Sequence, residues 1–205
     1  MQEALITMLG MQDRMNTRVH PEWKSQGFAW HRAIWVECAE LVDHYGYKWW
    51  KHQEHDLEQV QLEVIDIWHF GMSALFRPDL DIQRLAAQIA VEWPGEPEPL
   101  DVLEAAEALA GIAASERRFS VPAFATLLGA ASLDFASLYH QYLGKNVLNF
   151  FRQDHGYQDG SYRKVWDGRE DNEHLMELLA DIDTDADDAE AHLYAALQAR
   201  YAASA

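Results

Sequence analysis

The chain has a single cysteine, Cys38, which excludes an internal disulfide and fits a reducing compartment. Its neighbours Val36, Ala39 and Leu41 suggest a buried thiol. Basic residues are also scarce: 16 Lys and Arg stand against 34 Asp and Glu, for a net charge of -18. That balance disfavours nonspecific binding to nucleic acid or to an anionic membrane surface, since both need basic patches. No run approaches the roughly 20 apolar residues of a membrane span. The N-terminal MQEALITMLGMQDRM lacks the basic leader and long apolar core of a signal peptide. The expectation is a cytoplasmic protein with neither nucleic acid nor membrane as partner. Strand-like alternation of apolar and polar residues is scarce as well, and no internal repeat is found.

Helical patterns fill the space that these absences leave. Apolar residues make up 49% of the 205 and charged residues 24%, an ordinary globular composition that can bury a sizeable core. Leu5, Leu9, Met11 and Met15 pattern a helix over 2–16, and HPEW at 20–23 reads as a turn. A second helix is expected from Phe28 to Tyr45, stopping near Gly46, and a third from the N-cap Asp56 to Arg77, before Pro78. Alanine- and leucine-rich helical segments follow from 79 to 140, broken by the elbow WPGEPEP at 93–99. The fold class is all-α, a helical bundle. The expected organisation is one domain over 1–205, with 79–137 a helical insertion and 176–205 an acidic tail ending in a short helix. The acidic run Asp181–His192 begins like a calcium loop. It has Ala186 where the sharp turn needs glycine and His192 where the bidentate Glu belongs, and it is read as a solvated connector.

Acids placed inside apolar helices carry the first chemical signal. EVIDIWHF (63–70) leaves almost no polar face, yet Glu63 and Asp66 stand three apart on one side of it. One helix earlier, AIWVECAELV (33–42) repeats the arrangement with Glu37 and Glu40. Four carboxylates focused into one cleft repel one another unless cations neutralise them. All-oxygen ligation suits a hard ion such as Mg²⁺ or Mn²⁺. Any one acid alone would more simply edge its helix and pair with Arg32, Lys48 or Lys51. A di-iron centre would want Glu-x-x-His pairs, and positions 40 and 66 are Glu and Asp. His69, three after Asp66, reads as a hydrogen-bonded core residue.

The second signal lies at 144–172. Lys145, Arg152, Arg163, Lys164 and Arg169 are five of the sixteen basic residues, interleaved with Asn146, Asn149, Tyr157 and Tyr162. Amides can read a base edge and Lys and Arg can meet phosphates. The plainer reading is a surface loop with ordinary salt bridges. Beside a carboxylate–metal cluster, the parts assemble into a nucleoside-phosphate site.

VECAEL, EVIDIWHF and the downstream KNVLNFFRQDHGYQDGSYRKVWDGREDN resemble the dimeric all-α dUTPase family, within the wider group of MazG-like nucleotide pyrophosphohydrolases. The resemblance covers roughly residues 8–76 and 138–175. The paired acids are common to the whole superfamily, whereas the long downstream motif is much more specific. The resemblance implies Mg²⁺-dependent hydrolysis of dUTP, with dUDP a further candidate substrate. The products would be dUMP and pyrophosphate, which limits uracil incorporation into DNA and supplies dUMP. It implies attack at the β-phosphorus and a homodimer. It assigns Glu37, Glu40, Glu63 and Asp66 to the metal, with Mn²⁺ a substitute for Mg²⁺, and makes Glu37 the general base. It assigns Asn149 to uracil, with the backbone of Phe70 and with Gln12 and Asn16 beside it, and Asp66 also to the sugar 3′-hydroxyl. Trp49, Lys51, Lys145, Arg152, Tyr157 and Lys164 match its phosphate-binding group. Two other readings remain open from the residues: a pyrophosphohydrolase for another nucleotide such as dCTP, and a catalytically silent helical protein that binds a partner.

Overall fold

The computed structural model describes residues 1–183, 186 and 188–204. Part of the run read as a rejected calcium loop, at positions 184, 185 and 187, lies outside the described residues. The architecture is all-α: α1 (Gln2–Val19), α2 (Trp30–Tyr45), α3 (Leu57–Leu75), α4 (Ile82–Glu92), α5 (Val102–Glu116), α6 (Val121–Ala130), α7 (Phe135–Asp154), α8 (Asp171–Leu179) and α9 (Ala189–Ala203). Two strands, β1 (Val165–Trp166) and β2 (Arg169–Glu170), pair antiparallel before α8. Among the described residues, no single helix is long and apolar enough to cross a membrane.

The chain divides into two compact units, Met1–Leu138 and Tyr139–Ala205. In the first, α2 lies against α3 and α5, and α1 lies against α3 and α4. Short polar side chains start these helices. Asp56 accepts a hydrogen bond from the Gln59 N–H at 3.2 Å, Asp81 from Arg84 N–H at 2.8 Å, and Asp101 closes a capping box with Glu104. Each such cap contributes about 1 kcal/mol. The core is aromatic: Trp68 stacks on Phe124 at 4.9 Å, meets Trp93 edge-on at 5.9 Å, and donates its indole N–H to Met8 Sδ. Gly71 makes room for this cluster, because a Cβ there would stand 2.5 Å from the Phe119 ring.

The second unit differs from what its composition suggests. The segment from 144, where the composition turns rich in Gly, Asn and basic residues, continues α7 as far as Asp154, with Lys145, Asn146, Val147, Leu148 and Phe151 buried. Trp166 is fully buried beside Phe151 and stacks on His174 at 5.1 Å. Asp167 and Gly168 both have positive φ, 50° and 80°, and make the tight turn between β1 and β2. This hairpin delivers Asp171 to the first residue of α8, where its N–H bonds the Lys164 carbonyl at 2.9 Å.

Candidate active site

The buried face of α2 is Ile34, Cys38 and Leu41. At about 100° per residue, Glu37 lies about 60° from the centre of that face and Glu40 about 120° from it. Glu37 is accordingly half-buried and Glu40 exposed. On α3, Glu63 is buried and Asp66 half-buried. Glu37, Glu63 and Asp66 converge, each offering an oxygen within 4.8 Å of the other two. Glu40 is not in that trio. Burial first, then the charge of Asp66, the hydrogen bond and charge of Glu63, and the charge of Glu40 together push the Glu37 carboxyl up to about 8. His44 Nε2 stands 3.5 Å from Glu63 Oε1. Beside Glu37, the Cys38 thiol is pushed up to about 12 by burial and by the Glu37 charge, as an inert core thiol should be.

Three carboxylate oxygens this close, in a partly buried setting and on two adjacent helices, suit a hard divalent cation. The donors are all oxygen, and a cation would offset the repulsion that otherwise forces a proton onto Glu37.

Elsewhere in the first unit, Gln12 and Asn16 are buried. The Gln12 amide donates to Asn16 Oδ1 at 3.0 Å and to Ser73 Oγ at 3.1 Å, and Asn16 donates to Ser73 Oγ at 2.9 Å. Gln12 Oε1 lies 2.8 Å from His69 Nδ1, and since an amide oxygen only accepts, that nitrogen carries the proton. His69 is thus a hydrogen-bonded core residue, as its sequence context indicates. Ser73 was not legible as part of this group, although it stands one turn after His69. Phe70 is half-buried and stacks at 6.2 Å on Trp30. Trp49 is 90% exposed and Lys51 is exposed, on the 46–53 loop that with Leu103 lines a cleft of about 570 Å³.

In the second unit α7 separates the two amides of the KNVLN stretch. Asn146 is fully buried and donates to the Tyr142 hydroxyl at 3.2 Å, while Asn149 is half-buried. Arg152 grips Asp171 with two prongs, Nε to Oδ2 and Nη2 to Oδ1, both at 2.8 Å. Its Nη1 donates to Asn149 Oδ1 at 3.2 Å. The Tyr162 hydroxyl donates to Asp171 Oδ2 at 2.8 Å, and buried Lys145 donates to Asn172 Oδ1 at 3.2 Å. Burial alone would raise the Asp171 carboxyl, but hydrogen bonds from Arg152 and Tyr162, with the charges of Arg152 and Lys145, hold it below the usual range. Burial and Asp171 raise the Tyr162 hydroxyl. Tyr157 is exposed, with the Arg152 guanidinium 6.0 Å over its ring, and Lys164 pairs with Glu170 at 3.0 Å. The sequence alone did not single out Asp171. The available signal was an acid three residues after the Asp167–Gly168 pair, with an arginine upstream.

Acids able to hold a cation and to move a proton, with amides and cations able to meet a base and phosphates, are the equipment of a nucleotide pyrophosphohydrolase. The family model of the dUTPases matches residues 4–157, and the chain belongs to the dUTPase family. It is a dUTP diphosphatase, a hydrolase that cleaves dUTP to dUMP and pyrophosphate. No curated protein is similar enough to this chain to match it.

Proposed function

We propose that dUTP hydrolysis by this enzyme depends on Mg²⁺ held by Glu37, Glu63 and Asp66, with Glu40 joining them from the next turn of α2. The observation that carries this reading is the convergence of three carboxylate oxygens within 4.8 Å. Mn²⁺ is the expected substitute, having the same preference for oxygen ligands. The bound cation supplies charge compensation for the triphosphate and makes water easier to deprotonate. Glu37 acts as general base toward the attacking water. It is half-buried beside Glu63 and Asp66, where a bound cation would leave it ionised and able to take a proton from water. Asp66 also meets the sugar 3′-hydroxyl.

Substrate contacts are proposed in each unit separately. In the first, Gln12, Asn16 and the backbone of Phe70 face uracil, and Trp49 and Lys51 face phosphates. In the second, Asn149 reads uracil, and Lys145, Arg152, Tyr157 and Lys164 form the phosphate group. Cleavage of dUDP follows if the β-phosphorus is attacked, because that centre is present in both nucleotides.

A homodimer is proposed as the working form, in the cytoplasm. Trp35 on α2 is 39% exposed and Phe28 is 43% exposed, aromatic surface that a second copy would cover. By contrast Val64, Ile65, Ile67 and Trp68 of α3 are fully covered within their own chain.

A side-by-side turnover assay with dUTP, dCTP, dTTP and UTP, with Mg²⁺ and after its chelation, tests the reading. The expected result is turnover of dUTP well ahead of the other three, lost on chelation. Faster turnover of dCTP would replace uracil with cytosine as the preferred base, and turnover unchanged by chelation would remove the metal.

A further inference from the structure

The assignment of Asn149 to uracil, proposed above, raises a question that the assignment does not answer: what holds its amide in one orientation. A side-chain amide turned by 180° exchanges an acceptor for a donor, so an amide that can flip cannot tell a carbonyl from an amino group. Asn149 is half-buried in the last two turns of α7, and Arg152 lies one turn further on, its Nη1 3.2 Å from Asn149 Oδ1. A guanidinium has only donors, so the oxygen must face it and the NH₂ is left for a ligand. Turning the amide would set two donors against each other beside a positive charge. That disfavours the flipped form by roughly 10- to 100-fold, the scale of a lost hydrogen bond to a charged group.

Arg152 can impose this only if it is itself immobile. Its side chain is 11% exposed, and its Nε and Nη2 are taken by the fully buried carboxylate of Asp171 at 2.8 Å each. A two-pronged pair fixes the plane of the guanidinium as well as its position. Asp171 is in turn held by the Tyr162 hydroxyl at 2.8 Å and by its own N–H on the Lys164 carbonyl at 2.9 Å, at the end of the hairpin. Both Tyr162 and Asp171 lie beyond residue 157, where the family match ends.

We propose that Asp171 is a specificity-determining positioning residue, which by clamping Arg152 turns the Asn149 amide so that its NH₂ meets the base. A donor in that place donates to the 4-carbonyl of uracil and opposes the 4-amino group of cytosine. On this arrangement Arg152 acts on base selection as well as on phosphate charge, and Tyr162 supports it through Asp171.

The test is the dUTP/dCTP ratio of kcat/KM, measured with Mg²⁺ on the full chain in Asp171→Asn, Arg152→Lys, Tyr162→Phe and Asn149→Ala. Asp171→Asn and Arg152→Lys are expected to narrow the ratio by at least about 5-fold, and Tyr162→Phe by less, since Asp171 keeps Arg152. Damage to folding alone would lower turnover of both nucleotides together and leave the ratio in place. Should Asp171→Asn not fold, Arg152→Lys and Tyr162→Phe carry the test, and a parental ratio in both overturns the proposal. If Asn149→Ala narrows the ratio while the clamp variants keep it, the positioning role fails and the uracil assignment stands. If Asn149→Ala also keeps the parental ratio, the base is read elsewhere and both fail.

Discussion

The carboxyl of Glu37, on α2, and that of Glu63, on α3, bring oxygens within 4.8 Å of each other. Burial and the neighbouring acids push the Glu37 carboxyl up to about 8, so without a cation it favours the protonated form near neutral pH. A divalent ion and that proton are alternative solutions to the same repulsion, and both are stabilised by the charges of Asp66 and Glu40.

Replacing Glu63 by Gln keeps the shape of the side chain and removes one ligand charge. Turnover of dUTP at limiting Mg²⁺ is expected to fall by at least about 100-fold, the scale of a lost key electrostatic group. Mg²⁺ binding by calorimetry should weaken with it. Near-parental turnover at limiting Mg²⁺ would sink the carboxylate cluster as the metal site.

Asp66→Asn should act in opposite directions on activity and on stability. It removes a ligand, so turnover is expected to drop by about 100-fold. In chelator it also removes the charge that repels Glu37 most, so the melting temperature should rise by about 2–4 °C, as about 1 kcal/mol gives in a chain of this size. A lower melting temperature in chelator, read by calorimetry, would mean that these acids are not mutually destabilising.

The Arg152–Asp171 pair predicts acid sensitivity. The Asp171 carboxyl is held below its unfolded value, so its contribution to stability is present above about pH 4. That contribution is lost as pH falls toward the lower folded value. Asp171→Asn is therefore expected to cost about 3 kcal/mol at pH 7, as breaking a buried pair does. The cost should shrink as pH falls below about 4, where the unfolded parent takes up a proton that the folded Asp171 does not. Urea unfolding from pH 7 to pH 3 checks it, and a cost independent of pH would contradict it.

Assembly is tested by sedimentation at micromolar concentration. The expectation is a homodimer, which Trp35→Glu shifts toward monomer by placing a charge on the exposed aromatic surface of α2. A fully active monomeric parent would count decisively against the dimer.

Local sequence carried much of this fold because the relevant physics is local. Asp56 and Gly46 mark helix ends by capping chemistry, and both expected ends fall within two residues of the observed ones. The second unit was harder to read. Polar, Gly- and Asn-containing sequence between 144 and 154 looks like a loop, but Val147, Leu148 and Phe151 bury one face and keep α7 continuous. The hairpin at 165–170 is two residues per strand, too short for alternation to register.

The sequence by itself determined that α2 and α3 each carry a pair of acids three residues apart in an apolar helix, because helical periodicity is a property of the chain. It also determined the charge balance and the presence of two amides in KNVLN. Only the tertiary structure decided which acids meet. The angular offset of Glu40 from the buried face of α2 leaves it exposed, while Glu37 converges with Glu63 and Asp66. Likewise Arg152 and Asp171 are separated by nineteen residues. Whether an arginine faces solvent, a phosphate or a buried carboxylate depends on what the fold returns to it, and here the hairpin returns Asp171.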